Sequence, residues 1–213
     1  DAYVYDDLPV RHWDEWNDEY YRHLFIFNIE NNETKDLMKG ERFDTPLKPF
    51  GGREQIAWSP DGSEIAYTCK KVNNFESNTN SEIYMVPVFG GNDRNITKGT
   101  TQYPLNGFDM EPKYAPNGSY IAFKSQKRPG FESDRIRLML YAKRTGRFIE
   151  LTEEFDDWVG NYVWSPNSEY IYFSSIVKGK SQIFRIEISS KDIDNVISGN
   201  YNWGDRFLQV SPD

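Results

Sequence analysis

The acids that could do chemistry in this chain are interleaved with aromatic residues. The tripeptide Phe-Glu-Ser occurs twice, setting Glu76 behind Phe75 and Glu132 behind Phe131, with Asp134 just beyond the second copy. Glu153 and Glu154 are adjacent and lie shortly before Trp158. Carboxylates partly shielded from water hold a cation better than exposed ones, because a charge-assisted hydrogen bond strengthens as the local dielectric falls. A second group is "RHWDEW", Arg11 to Trp16. Arg11, His12 and Asp14 can form a polar cluster that pins its own loop, with Trp13 and Trp16 packed beneath, or they can touch a ligand directly. As a metal pair His12 and Asp14 lack a third ligand. Nor does any loop carry the alternating oxygen ligands of a calcium site. No metal and no cofactor is expected.

The residues of nucleophilic catalysis are not assembled. "NGSYI", Asn117 to Ile121, is the nearest string to G-x-S-x-G, but it lacks the glycine spacing and falls in a turn signal. The two histidines, His12 and His23, stand near the start, whereas a Ser-Asp-His hydrolase of that type places its histidine well after the serine. Cys69, the single cysteine, follows the apolar run "EIAYT" and reads as a strand residue, leaving no intrachain disulfide and no cysteine zinc site. A net charge of −8 and a pI near 4.9 argue against nucleic acid and anionic membrane as partners and suit a cationic ligand. No apolar run approaches the length of a membrane span.

These residues need a scaffold, and a repeat supplies it. "WSPDGSEIAY" from Trp58 returns as "YAPNGSYIAF" from Tyr114 and "WSPNSEYIYF" from Trp164, and "VSPD" from Val210 begins a fourth copy. The prolines are 56, 50 and 46 residues apart, a spacing that fits propeller blades. Each copy places two short apolar runs around a Pro-Asp/Asn-Gly/Ser turn, the signature of a β-hairpin. Two further strand-like runs follow in each repeat, such as "EIYMVPV" and "RNIT" after Trp58. Four strands joined by turns make a blade. The expected fold is therefore all-β: a β-propeller of about four four-stranded blades, forming a partial ring with incomplete first and last blades. Approximate blades cover 1–39, 53–98, 110–152 and 160–199, with a trailing inner strand at 205–213. The blade core is expected to contain Trp58, Tyr114 and Trp164 with the apolar runs that follow them. Open blade edges invite self-association.

With strands labelled a to d from the axis outward, the a–b and c–d loops are short and the b–c and d–a loops are long. Long loops on a rigid scaffold are where binding concentrates, so one face is expected to act. Glu76, Glu132, Asp134, Glu153 and Glu154 all fall on it.

"WSPDG…IAY" resembles the blade signature of TolB-like propellers and of the propellers attached to prolyl-oligopeptidase-family serine peptidases. "VYDDLPVRHWDEW" (Val4–Trp16) and "RPGFESDR" (Arg128–Arg135) are similar to segments of the N-terminal propeller in bacterial dipeptidyl peptidases and acylaminoacyl-peptidase-like enzymes. The resemblance implies a non-catalytic propeller region that gates access to a catalytic cavity. A C-terminal α/β-hydrolase domain missing from this chain would carry the catalytic serine, aspartate and histidine. It implies a peptide substrate whose free N-terminus is held by propeller acids, with Glu132, Glu76, Glu153, Glu154 and Asp134 as candidates. It implies a periplasmic or secreted location. The start at Asp1 and the broken last repeat fit a fragment. Two other readings stay open: a TolB-like propeller acting as a protein-binding module, and a carbohydrate-active propeller with rim carboxylates as acid and base.

Overall fold

The computed structural model describes residues 4–6, 8, 10–16, 20–99, 105–197 and 208–211. Sixteen strands are present among them and no α-helix. The chain opens with a small hairpin of β1 (Arg11–His12) and β2 (Glu15–Trp16), followed by a two-stranded sheet of β3 (Phe25–Asn28) and β4 (Glu33–Asp36). Three four-stranded sheets come next. The first is β5 (Ile56–Trp58), β6 (Glu64–Cys69), β7 (Glu82–Pro87) and β8 (Arg94–Asn95). The second is β9 (Asp109–Tyr114), β10 (Tyr120–Ser125), β11 (Arg137–Ala142) and β12 (Arg147–Glu150). The third is β13 (Tyr162–Trp164), β14 (Tyr170–Val177), β15 (Lys180–Glu187) and β16 (Ile193–Ile197). Each is an antiparallel meander in chain order. We call the β3–β4 sheet blade I and the others blades II to IV. Among the described residues blade I consists of β3 and β4, so it is incomplete as expected. The inner strand expected at 205–213 lies largely outside the described residues, and 208–211 form no strand.

The repeated hairpin turn is built by its third residue. Asp61 accepts from the Ser59 and Ser63 hydroxyls at 2.6 and 2.8 Å and from the Ser63 amide at 3.0 Å, and Gly62 supplies a φ of +70°. Asn117 repeats the bond to Ser119, and Asn167 those to Ser165 and Glu169. In the third copy Ser168 takes the left-handed conformation that glycine holds in the others.

Alternation along the strands joins the blades. Ile121 and Phe123 of β10 face blade II, in a cluster with Ile83, Met85 and Leu105, while Ala122 faces blade IV. On β11, Met139 and Tyr141 face blade II, and Leu138 and Leu140 meet Phe173 and Phe184. The period of two thus makes blades II and III layers with apolar side chains on both faces. Polar ties reinforce these seams. The Trp164 indole donates to the Lys113 carbonyl at 3.1 Å, the Tyr162 hydroxyl to the Glu111 and Ala122 carbonyls, and Lys143 pairs with Glu64.

Trp58 departs from the expected core. Tyr114 and Trp164 are buried, but Trp58 is 55 % exposed. Trp164 is covered by the inner strand of the preceding blade, and blade I offers Trp58 no such strand among the described residues.

Candidate functional site

The loop asymmetry is real and it shapes the molecule. The a–b connections of blades II to IV have five residues each, whereas the b–c connections of blades II and III run over 70–81 and 126–136, and the d–a connections over 37–55, 96–108 and 151–161. Blade IV differs: its b–c link is a two-residue turn at Lys178 and Gly179, both with positive φ, the type I′ geometry that suits a twisted hairpin. The long loops enclose one broad concavity of about 2060 Å³. Its wall draws on 40–55 and on both Phe-Glu-Ser loops, and Trp158 closes one side. That volume exceeds the roughly 300–1,000 Å³ of a small-molecule pocket and suits an extended chain.

Glu76 and Glu132 both line this concavity. Glu76 is carried on a single 3-10 turn (Phe75–Ser77). Glu132 rides on a loop held from below, where the buried Gln126 amide donates to the Glu132 and Asp134 carbonyls, each at 2.8 Å. The Gly130 amide donates to the Thr79 hydroxyl at 2.8 Å, tying the two Phe-Glu-Ser loops together. Lys70, the first residue after β6, lines the same concavity. Its Nζ donates to the Phe75 carbonyl at 2.6 Å and sits 4.2 Å from the Phe75 ring centroid. Burial lowers the pKa of Lys70, and the charges of Glu76 and Glu132 oppose that shift.

The other candidate acids are placed elsewhere. Asp134 is buried beneath its loop, where its carboxylate accepts from the Lys127 and Arg128 amides and from the Arg128 guanidinium at 2.7 Å. Burial alone would raise its pKa, but Arg128 and the backbone amides outweigh it and hold Asp134 at about 2. That carboxylate is committed to shaping the loop. Glu153 and Glu154 line a separate, smaller hollow with Phe155, Lys191 and Asp192.

The "RHWDEW" segment folds as the β1–β2 hairpin, with Trp13 at φ +50° in its turn. Arg11, His12 and Asp14 make no bond to one another among the described residues, so the expected polar cluster is replaced by an aromatic one. The Arg11 guanidinium lies over the Trp16 ring at 5.9 Å and donates to the Trp13 carbonyl. His12 contacts Trp13 and Phe50, with centroids 4.8 and 5.3 Å apart. Trp13 and Trp16 are not packed beneath the loop; they are 70 % and 63 % exposed. A two-residue-per-strand hairpin is too small to cover a tryptophan. Arg11, His12 and Trp16 line the rim of the concavity, and Trp13 leans on Phe50 outside it.

Glu111 and Lys124 were not foreseen. They pair at 2.6 Å, and Glu111 lines the floor of the concavity with a φ of +56°, a strained conformation for a non-glycine residue. The β9–β10 bulge that produces this leaves no mark on the alternation of the sequence.

Radial blades with one recessed, long-looped face define a β-propeller, and the solved structures agree. TolB from Acinetobacter baumannii superposes with a TM-score of 0.57 over 84 % of this chain and 39 % of its own, at 15 % identity. In sequence the chain is 34 % identical over 207 residues to dipeptidyl-peptidase 5 of Porphyromonas gingivalis, and 35 % identical over 205 residues to that of Porphyromonas endodontalis. These matches cover 95 % and 94 % of this chain but 29 % of each relative, so the chain spans less than a third of the proteins it resembles. The likeness to dipeptidyl peptidases read from Val4–Trp16 and Arg128–Arg135 therefore holds over nearly the whole chain. No family model matches it.

Proposed function

We propose that this chain is the non-catalytic propeller region of a serine dipeptidyl or acylaminoacyl-type peptidase, and that its long-loop face receives the peptide and holds its N-terminus. One observation carries the reading: two loops with the same Phe-Glu-Ser sequence are tied together and place Glu76 and Glu132 on the lining of one concavity. A peptide α-ammonium is the cation such a peptidase must recognise to count two residues from the end. The mouth also gates access to a hydrolase domain, which would supply the nucleophile. A periplasmic or secreted location is part of the same reading and rests on resemblance. The alternative of a stand-alone protein-binding propeller shares the fold and has no feature of its own in this site.

The test uses the full-length peptidase. Glu76→Gln and Glu132→Gln should each lower kcat/KM for free-amine dipeptidyl substrates about 10- to 100-fold, the worth of one charge-assisted hydrogen bond. Substrates with a blocked N-terminus should change little. Equal losses on both substrate classes would refute ammonium recognition by these acids.

A further inference from the structure

A polar side chain stands three residues before the aromatic that opens each repeat: Gln55 before Trp58, Glu111 before Tyr114 and Asn161 before Trp164. Gln55 and Glu111 belong to neighbouring blades, the 3-10 turn Arg53–Gln55 packs against β9, and both residues line the concavity. Each is held by one polar end while the other is left over. Gln55 Oε1 accepts from the Leu47 amide at 2.8 Å, which fixes the orientation of its side-chain amide. Its Nε2 has no acceptor among the described residues, yet it is not one of the enclosed atoms that lack a partner, so it reaches open space. Glu111 is pinned at three points. Its amide donates to the Thr68 hydroxyl at 3.1 Å, its carbonyl accepts from the Tyr162 hydroxyl, and its Oε1 pairs with the buried Lys124 at 2.6 Å. Oε2 has no donor of its own among the described residues and is likewise not enclosed. These ties hold Glu111 at a φ of +56°, and backbone strain that is over-determined in this way clusters where geometry serves function.

We propose that Gln55 and Glu111 form a main-chain binding site on the floor of the concavity: Gln55 Nε2 donates to a backbone carbonyl of the bound peptide, and Glu111 Oε2 accepts from a backbone N–H. This rests on the reading that the long-loop face receives a peptide, and it adds where the peptide backbone lies. A residue in extended conformation presents its N–H and C=O on the same edge, as a hydrogen-bonded pair in an antiparallel ladder shows, so one donor and one acceptor suffice to hold it. Lys124 matches the charge of Glu111 at short range, which makes Oε2 an oriented acceptor rather than a free negative charge. The floor is therefore suited to a neutral N–H, and a cation arriving there would meet Lys124. Glu76 and Glu132 would read the end of the chain, while Gln55 and Glu111 would hold any extended backbone, whatever its side chains and whether or not its N-terminus is free.

The experiment uses the full-length peptidase and measures KM for alanyl-alanyl para-nitroanilide and the inhibition constant of its N-acetylated form. Glu111→Ala and Glu111→Gln are each combined with Lys124→Met, so that no cation is left buried without its partner. The alanine variant should raise both constants about 3- to 10-fold, the worth of one hydrogen bond. The glutamine variant keeps an acceptor oxygen and should stay within about twofold of the parent, which also checks that the floor still folds. Gln55→Glu keeps the oxygen that holds Leu47 but replaces the donor by an acceptor, and it should raise both constants by a similar factor. Equal losses in the two Glu111 variants would overturn the proposal, because the ion pair and not the acceptor would then matter. Losses confined to the free-amine peptide would overturn it as well, making the floor an ammonium site. Unchanged constants, while Glu76→Gln and Glu132→Gln lose free-amine selectivity, would overturn the floor contact alone. No change in any of these variants would overturn peptide binding by this face and the floor contact with it.

Discussion

Asp109 and Asp134 are both buried aspartates, and their surroundings drive them in opposite directions. Asp134 finds a guanidinium and backbone amides; Asp109, at the head of β9, is completely buried with neither carboxylate oxygen hydrogen-bonded, and the nearby Ser125 and Thr97 hydroxyls and the charge of Arg137 only partly offset that burial. Burial pushes the Asp109 carboxyl up to about 8. Between about pH 4 and pH 8 the unfolded chain has released this proton while the folded protein keeps it. Stability should therefore fall as pH rises through that window, by up to about 1.4 kcal/mol per pH unit. Asp109→Asn should flatten the slope, and urea midpoints at pH 5 and pH 8 measure it; an unchanged slope would show that Asp109 ionises freely in the fold. Neither environment was legible in the sequence. Asp134 reads as one more loop acid because nothing in "RPGFESDR" reveals that Arg128 folds back onto it. Glu76 and Glu132 were legible because the chain repeats their tripeptide, and repetition in the same loop of successive blades brings equivalent residues to one face. Lys70 and Glu111 carry no such mark: the first is an ordinary lysine after a strand, and the second is displaced by a bulge.

At the level of elements, the hairpins were readable because proline, a side-chain acceptor and a left-handed residue recur in order. The strands were readable because the middle strands of the blades, such as β6 and β11, are apolar on both faces. What escaped were features too short to show a period, such as the β1–β2 hairpin, and contacts set by a neighbouring blade. Gly107 is one of those contacts. It lies in the d–a loop of blade II, and a Cβ there would fall onto the backbone carbonyl of Gln126, 2.7 Å from its carbon and closer still to its oxygen. Backbone cannot yield as a side-chain end can. Gly107→Ala should destabilise the protein by about 1–3 kcal/mol, as overpacking does, and should loosen the Gln126 bonds that support Glu132. Denaturant unfolding checks the first effect. A variant as stable as the parent would mean that the loop has room to retreat.

For the whole molecule, the open flank of blade I is the feature that most governs behaviour. Among the described residues β3 is bonded to β4 alone, Phe25 and Phe27 on it are more than half exposed, and Trp58 of the next blade lacks the cover that Trp164 enjoys. Unpaired edges with apolar neighbours associate. The chain produced alone should show sedimentation that depends on concentration, and a lysine in place of Phe27 should shift it toward monomer. A single monomeric species at every concentration would mean that the flank protects itself. The polar ties between blades have a further consequence. Trp164, Tyr162 and Lys143 each reach back to a strand that precedes them in the chain, to Lys113, Glu111 and Glu64. At these three ties a ribosome makes the receiving strand before the group that grips it. Each blade can then settle against its predecessor as it emerges, and the growing protein need not wait for its last residue to start closing its core.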